Sequence, residues 1–226
     1  MSALIFDVDG TLAETEELHR EAFNAAFVDS GLDWTWDRPR YKALLAVSGG
    51  KERLHHFLDR DGIVLPDAQE RVARLHALKT AIYADRVAEG RLVLKPGVEA
   101  LIDAAEAAGI RLAVATTTTR ANVDALLGSA GIDPQRFETM VCGDAVARKK
   151  PAPDVYLAVL RALDLPASAC LAFEDSWNGL TAAKEAGLRC VVTPALYTAD
   201  EDFAAADLVV PDLADTQRFL SLVKGG

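Results

Sequence analysis

Cysteine is scarce: the 226 residues contain three, Cys142, Cys170 and Cys190. They are odd in number, with no C-x-x-C pair and no ligand-like spacing, so they read as neither a disulfide framework nor a metal site. Two of them fall in apolar runs, and all three are expected as reduced core or near-core residues. Basic residues are also in deficit, 24 Lys and Arg against 34 Asp and Glu, for a formal net charge of -10. A chain this acidic lacks the footprint of a broad nucleic-acid binder or of a protein drawn to anionic membranes. No apolar run nears the roughly 20 residues of a membrane-spanning helix, and the N-terminus passes straight into LIFDVDG without a signal-peptide pattern. The expectation is therefore a cytoplasmic protein, monomeric, whose partner is a small molecule. There is no internal repeat and no low-complexity tract; the alanine-rich segments are good helix formers.

Half the residues are apolar, enough to bury a full core in one domain or in a large and a small one. The runs ALIF (3–6), RLAVA (111–115), CLAF (170–173), RCVV (189–192) and DLVV (207–210) have the composition of buried parallel strands. Pro96 and Gly97 open a helical pattern that Gly109 stops, and from there helix and strand alternate. This rhythm predicts an α/β fold with a doubly wound, parallel-sheet (Rossmann-like) core. Residues 14–90 break it. They read as helices only, with amphipathic spacing at Leu75, Leu78 and Ile82 and a stop at Gly90. The expected organisation is a catalytic core of residues 1–13 and 91–226 with a helical cap domain, 14–90, inserted after the first strand.

The first strand ends in FDVDGTL, which puts Asp7 and Asp9 at the edge where open α/β sheets bind ligands. Two carboxylates so close need a cation, a shared proton or an exposed turn. A calcium loop does not fit, because the glycine is fourth rather than sixth and Leu18 stands at the twelfth position. Thr116, Thr117 and Thr118 follow RLAVA, and Glu174 and Asp175 end CLAF with carboxylates suited to a hard cation. Lys150 precedes Pro151, which disfavours the α conformation for the lysine and lets a loop present it. Each feature alone has a plain structural explanation: a helix cap, a solvated pair, a surface lysine. SGGKER (48–53) is likewise either a solvated helix start or an anion-holding loop, and it is not a Walker-type phosphate loop.

The order DxDGT, strand-end threonine, Lys-Pro, strand-end EDS resembles the haloacid dehalogenase superfamily of phosphotransferases over nearly the whole chain. The resemblance implies that Asp7 is a nucleophile forming an aspartyl-phosphate and Asp9 a general acid and base. It implies that Thr116 and Lys150 hold the phosphoryl group, and that Mg²⁺ is bound by Asp7, the Asp9 carbonyl and Asp175 with Glu174 nearby. The insert resembles the cap of the β-phosphoglucomutase-like branch. More narrowly, AETEELHREAF, SGGKER, KKPAPD and EDSWNGLTAAKEAGLRC look like the CbbY type, the xylulose-1,5-bisphosphate phosphatases that remove a Rubisco inhibitor. That resemblance implies a sugar bisphosphate partner whose second phosphate meets SGGKER. It puts Glu16, Gly49, Gly50, Lys51, Arg53 and Lys79 near the substrate, with Tyr41, His76, Thr117 and Thr118 as further candidates. His19 is either a substrate contact or a packed residue. Trp177 and Ser48 depart from the expected pattern. A sugar-phosphate mutase and a non-catalytic accessory protein are the alternatives.

Overall fold

Every residue of β1 (Ala3–Phe6) is fully buried, which is what a strand covered on both faces requires. The computed structural model describes residues 1–224. In them β1 lies at the middle of a six-stranded parallel sheet with β2 (Arg111–Ala115), β3 (Thr139–Val141), β4 (Cys170–Glu174), β5 (Arg189–Val192) and β6 (Leu208–Val209), in the order β3-β2-β1-β4-β5-β6. Phe6 is in register with Val114 on one side and Phe173 on the other. The order reverses between β1 and β4, and the crevice beyond their carboxyl ends is where such sheets bind ligands.

Alternation along the strands divides the core. Leu4, Phe6, Leu112 and Phe173 face α5 (Val98–Ala107), α6 (Arg120–Ser129) and α9 (Thr216–Lys224). Ala3, Ile5, Ala113 and Ala172 face α7 (Asp154–Leu163) and α8 (Trp177–Glu185). Phe6 and Phe173 stack with centroids 4.9 Å apart, and each fully buried ring contributes about 1.5–3 kcal/mol by burial.

Between β1 and α5 come α1 (Glu16–Asp29), α2 (Arg38–Leu44), α3 (Gly50–Arg60) and α4 (Ala68–Ala88). They bury an aromatic cluster of their own around Phe23, Phe27, Trp36, Tyr41 and Phe57. The strands joining insertion to sheet are tied to each other: Lys95 N donates to Leu12 O at 2.8 Å, and Ala13 bridges Leu94.

Two expectations need correcting, and one strand goes unanticipated. DLVV (207–210), expected as a buried strand, forms only the two-residue edge strand β6, with Leu208 part-buried and Val209 exposed, because one side of β6 has no neighbour in the sheet among the described residues. β3 carries no apolar run, because only Val141 of its three residues is buried and its other edge has no strand partner. In α4 the buried line is Val72, Leu75, Tyr83 and Val87, with Leu78 and Ile82 only part-buried. The same face buries His76 and Lys79, so the helix spends core positions on ionisable groups. The three cysteines are free and buried. No helix among the described residues is long and apolar enough to cross a membrane.

Candidate active site

The carboxyl ends of β1 and β4 bring three carboxylates together at the switch point, and the segment between β3 and α7 adds one ammonium. Lys150 Nζ lies 2.6 Å from Asp7 Oδ1 and 2.6 Å from Glu174 Oε1, and donates to Ala115 O at 2.9 Å. Tyr156 also donates to Glu174 Oε1. All of these residues are buried. Burial pushes Asp7 up to about 8 against the pull of Lys150, with Glu174 adding to the rise. It lifts Asp175 well above the carboxylate range, with Asp7 and Glu174 beside it. For Lys150 burial acts in the other sense, disfavouring its charge, but Asp7 and Glu174 outweigh that and raise it too.

Ligand oxygens of Asp7, Glu174 and Asp175 lie within 4.8 Å of one another. One ammonium for three carboxylates leaves negative charge uncompensated, and an all-oxygen donor set of this kind suits a hard dication. Gly10 has φ +79°, and a Cβ there would meet Asp175 Oδ2 at 2.2 Å, so the DxDGT turn is cut to fit this carboxylate. Glu174 contributes differently from the aspartates. Its Oε1 is taken by Lys150 and Tyr156, while Oε2 is buried without a partner against Gly179, where a Cβ would approach to 1.8 Å. Its main contact is thus with Lys150.

Asp9 turns away from this cluster and toward the insertion. Its Oδ1 accepts from Thr15 Oγ1 at 2.6 Å and lies 2.9 Å from His19 Nε2. The Thr15 hydroxyl makes no cap bond to α1, although Thr15 occupies the N-cap. His19 Nδ1 lies 2.7 Å from Lys79 Nζ, so the ring accepts there and its proton is on Nε2, donated to Asp9. The ring stacks on Tyr83 at 4.0 Å. Burial works to raise Asp9, but His19, Thr15 and Lys79 overcome it and hold the carboxyl far below its usual range. His19 itself is lowered by burial and by Lys79. Of the four expected metal-binding residues, Asp9 alone keeps its carboxylate out of the cluster, so only its carbonyl is left for that role.

The same cavity extends from this edge to the insertion, where Glu16, Gly49, Gly50, Lys51, Arg53, His76 and Lys79 line it. Gly49, with φ +93°, starts α3 without a side-chain cap, leaving the helix N-terminus to the cavity. His76 packs on Gly50 so closely that a Cβ there would meet Nε2 at 2.5 Å. Burial pushes His76 down to about 3, helped by Lys79, Lys51, His19 and Arg53, and pushes Lys79 down to about 8. Arg53 Nε is buried without a partner. Lys51 is half-exposed, its Nζ 3.9 Å from Asp144 Oδ1 across the cleft.

Every residue expected at the site lines this cavity except Tyr41. Tyr41 is fully buried behind the lining, donating to Glu16 Oε2 at 2.6 Å and accepting from Arg53 Nη1 at 3.2 Å. Thr116, Thr117 and Thr118 lie opposite, Thr116 Oγ1 accepting from Thr118 N at 3.2 Å. Sequence reasoning missed Asn122, Asp144, Lys149, Asn178 and Thr198, which also line it. It also missed Lys95, whose buried Nζ donates to Gly10 O at 2.7 Å and Thr193 O at 2.9 Å, fixing the loop after β1 to the end of β5. Only a lysine beside the PG of KPGV marked it, and that is no signal by itself. Trp177 opens α8 half-exposed, outside the cavity lining, whereas Ser48 is part of it.

A family model for haloacid dehalogenase-like hydrolases matches residues 1–187. The chain is 55% identical over 216 residues to Protein CbbY of Rhodobacter capsulatus, covering 95% of this chain and 94% of that one. It is 53% identical over 220 residues to the plasmid-borne CbbY of Cupriavidus necator, covering 95% and 87%. Among solved structures, a CbbY variant from Rhodobacter sphaeroides in complex with xylulose 1,5-bisphosphate superposes with a TM-score of 0.89 at 48% identity, covering 95% and 96%. A β-phosphoglucomutase from Clostridium difficile shares the fold, with a TM-score of 0.84 at 20% identity over 100% of this chain and 98% of that one.

Proposed function

The chain belongs to the haloacid dehalogenase-like hydrolases, and from that premise we propose a Mg²⁺-dependent sugar bisphosphate phosphatase, with xylulose 1,5-bisphosphate as its substrate and xylulose 5-phosphate as product. One observation carries the reading: a single cavity has a carboxylate cluster at one end and the buried side chains of Arg53 and Lys79, with Lys51, at the other. A molecule with a phosphate at each end meets both. Residues 14–90 act as the cap that supplies the second end.

Asp7 attacks phosphorus through a carboxylate oxygen, forming the aspartyl-phosphate and breaking the bond to the sugar oxygen. Lys150, already 2.6 Å from Asp7, and Thr116 compensate charge on the non-bridging oxygens. Asp7, Asp175 and the Asp9 carbonyl would hold Mg²⁺, which when bound offsets the negative charge of nucleophile and phosphate. For the first step Asp9 has to take up a proton as substrate binds, which it gives to the departing oxygen; left as the carboxylate, it then removes one from the water that cleaves the acyl-phosphate. The hydrogen bonds from Thr15 and His19 favour its ionised form, the state needed for the second step. At the far end Lys51, Arg53 and Lys79, with the N-terminus of α3, bind the phosphate that does not react.

The test is incubation with Mg²⁺ and a panel of sugar mono- and bisphosphates, following free phosphate and isomerised product together. Net phosphate release, greatest for xylulose 1,5-bisphosphate, is expected. Interconversion without release would make the protein a mutase, and equal rates on monophosphates would remove the bisphosphate assignment.

A further inference from the structure

The turn after β5 reaches both ends of the cavity through two adjacent side chains. Thr198 faces the sheet edge: its Oγ1 donates to the Asp175 carbonyl at 2.7 Å and accepts from Ala195 N at 2.9 Å. Tyr197 faces the other way, into the aromatic cluster of the helical insertion, where among the described residues it is the one member contributed from outside residues 14–90. It is 6% exposed, its hydroxyl donates to Glu17 of α1, and its ring meets Tyr41 edge-on at 5.6 Å. Tyr41 in turn holds two cavity-lining groups, donating to Glu16 and accepting from Arg53, whose guanidinium lies 5.3 Å over the ring. Two outer contacts brace the same junction: Lys42 Nζ to Asp200 Oδ1 at 2.6 Å, and Leu196 N to Glu14 Oε2 at 3.2 Å.

We propose that Tyr197 is a positioning residue that, through Tyr41, sets Arg53 and Glu16 at a defined spacing from the Asp175 carboxylate, and so selects the length of substrate accepted. The proposal rests on the bisphosphate reading above. The physical reason lies in the shortness of the link. Tyr197 and Thr198 are neighbours, so the edge that would carry the metal and the cluster that orients Arg53 share one rigid turn, closed by Thr198 N to Ala195 O at 3.1 Å. A core packed to this density changes by steps rather than by gradual slippage. Shrinking the Tyr197 ring lets Tyr41 relax, and the Arg53 it holds drifts from its place opposite Asp7.

The test is a double-mutant cycle of Tyr197→Leu and Arg53→Ala on the full chain with Mg²⁺. It is read as the ratio of kcat/KM for xylulose 1,5-bisphosphate to that for p-nitrophenyl phosphate. Tyr197→Leu is expected to lower this ratio about 10-fold through a raised KM for the bisphosphate, and Tyr197→Phe, which keeps the ring, to restore most of it. In the Arg53→Ala background Tyr197→Leu should lower the ratio less than twofold further, because the group it positions is gone. Thermal melts identify a variant that has simply lost its fold, and Tyr197→Phe then carries the cycle with a smaller expected drop of about threefold. Full additivity of the two substitutions, or a fall of both substrates alike, overturns the positioning role while leaving the bisphosphate reading intact. If Arg53→Ala itself leaves the ratio unmoved, the bisphosphate reading fails and the proposal falls with it.

Discussion

The two ends of the cleft bury charge in opposite senses. At the sheet edge burial lifts acids, Asp7 to about 8 and Asp175 well above its ordinary range, with the neighbouring carboxylates adding to the rise and Lys150 paired, among the described residues, to Asp7 and Glu174 alone. In the insertion burial depresses bases, His76 to about 3 and Lys79 to about 8, among converging basic side chains. The sheet edge sets three carboxylates against one ammonium, whereas the insertion sets Lys51, Arg53 and Lys79 around the cavity with Glu16 and Glu52 among them. A formal net charge of -10 gives no hint of the second end. Overall charge argues about broad surfaces; it says little about a pocket assembled from four or five side chains.

Substitutions that act on one end only break this comparison, and the acidic end is expected to break hardest. Asp7→Asn should lower phosphate release by more than about 10⁴-fold, since the nucleophile is gone. Substantial turnover in a folded Asp7→Asn protein would discard the covalent route. Asp9→Asn is expected to cost roughly 10² to 10⁴ in rate. Because the Asp9 carboxylate faces Thr15 and His19 instead of the cluster, Mg²⁺ affinity by calorimetry should change less than in Asp175→Ala.

At the basic end the effects are smaller and fall on the bisphosphate alone. Lys51→Ala should lower its kcat/KM about 10- to 100-fold, the worth of one charge-assisted hydrogen bond. Lys79 adds a pH signature. Its ammonium loses its proton near pH 8, so KM for the bisphosphate should climb above that pH, and Lys79→Arg should move the climb upward. A pH-independent KM would take Lys79 out of anion binding.

The smallest expected effect sharpens the contrast without any substrate. Asp7 has a folded-state value near 8 against an unbound 3.8, so its protonation supports the fold below about pH 4 and that support is lost as pH rises toward 8. An amide at this position suffers no such loss. Without Mg²⁺, Asp7→Asn should therefore gain on the parent as pH rises through this window, by at least about 1 kcal/mol or roughly 2–4 °C in Tm. Mg²⁺ should close the gap by stabilising the parent, and a gap that ignores both pH and Mg²⁺ would show that Asp7 is not destabilised by burial.

What could be read from the amino acids was whatever a local rule marks. Asp7, Thr116, Glu174 and Asp175 each follow a buried strand, and Lys150 is singled out by the proline after it. Burial of β1, β2, β4 and β5 was legible for the same reason; β3 escaped because an edge strand with one buried residue carries no apolar run, and the apolar run DLVV misled because β6, at the opposite edge, is not buried. Lys95, Tyr197 and Thr198 carry no such mark. Their partners are remote, 85 residues away for Lys95 with Gly10 and 180 for Tyr197 with Glu17, and only the folded chain brings them together. Tyr41 was recognised as belonging to the site, yet its place behind Glu16 and Arg53 depends on the packing of α2 against α3, which periodicity does not report.

Gly179 takes no part in any step of the chemistry, yet Glu174 rests where its side chain would be. In a saturation library scored for phosphatase activity, position 179 should therefore be as unforgiving as a catalytic carboxylate. Even alanine there would displace the Glu174 carboxylate and take from Lys150 one of its three partners, leaving the Asp7 pair held by the Ala115 carbonyl alone. A map of intolerant positions drawn for this protein would mark 179 as functional although it holds no functional group, and recovery of activity would have to come from a second change, a shorter acid at 174.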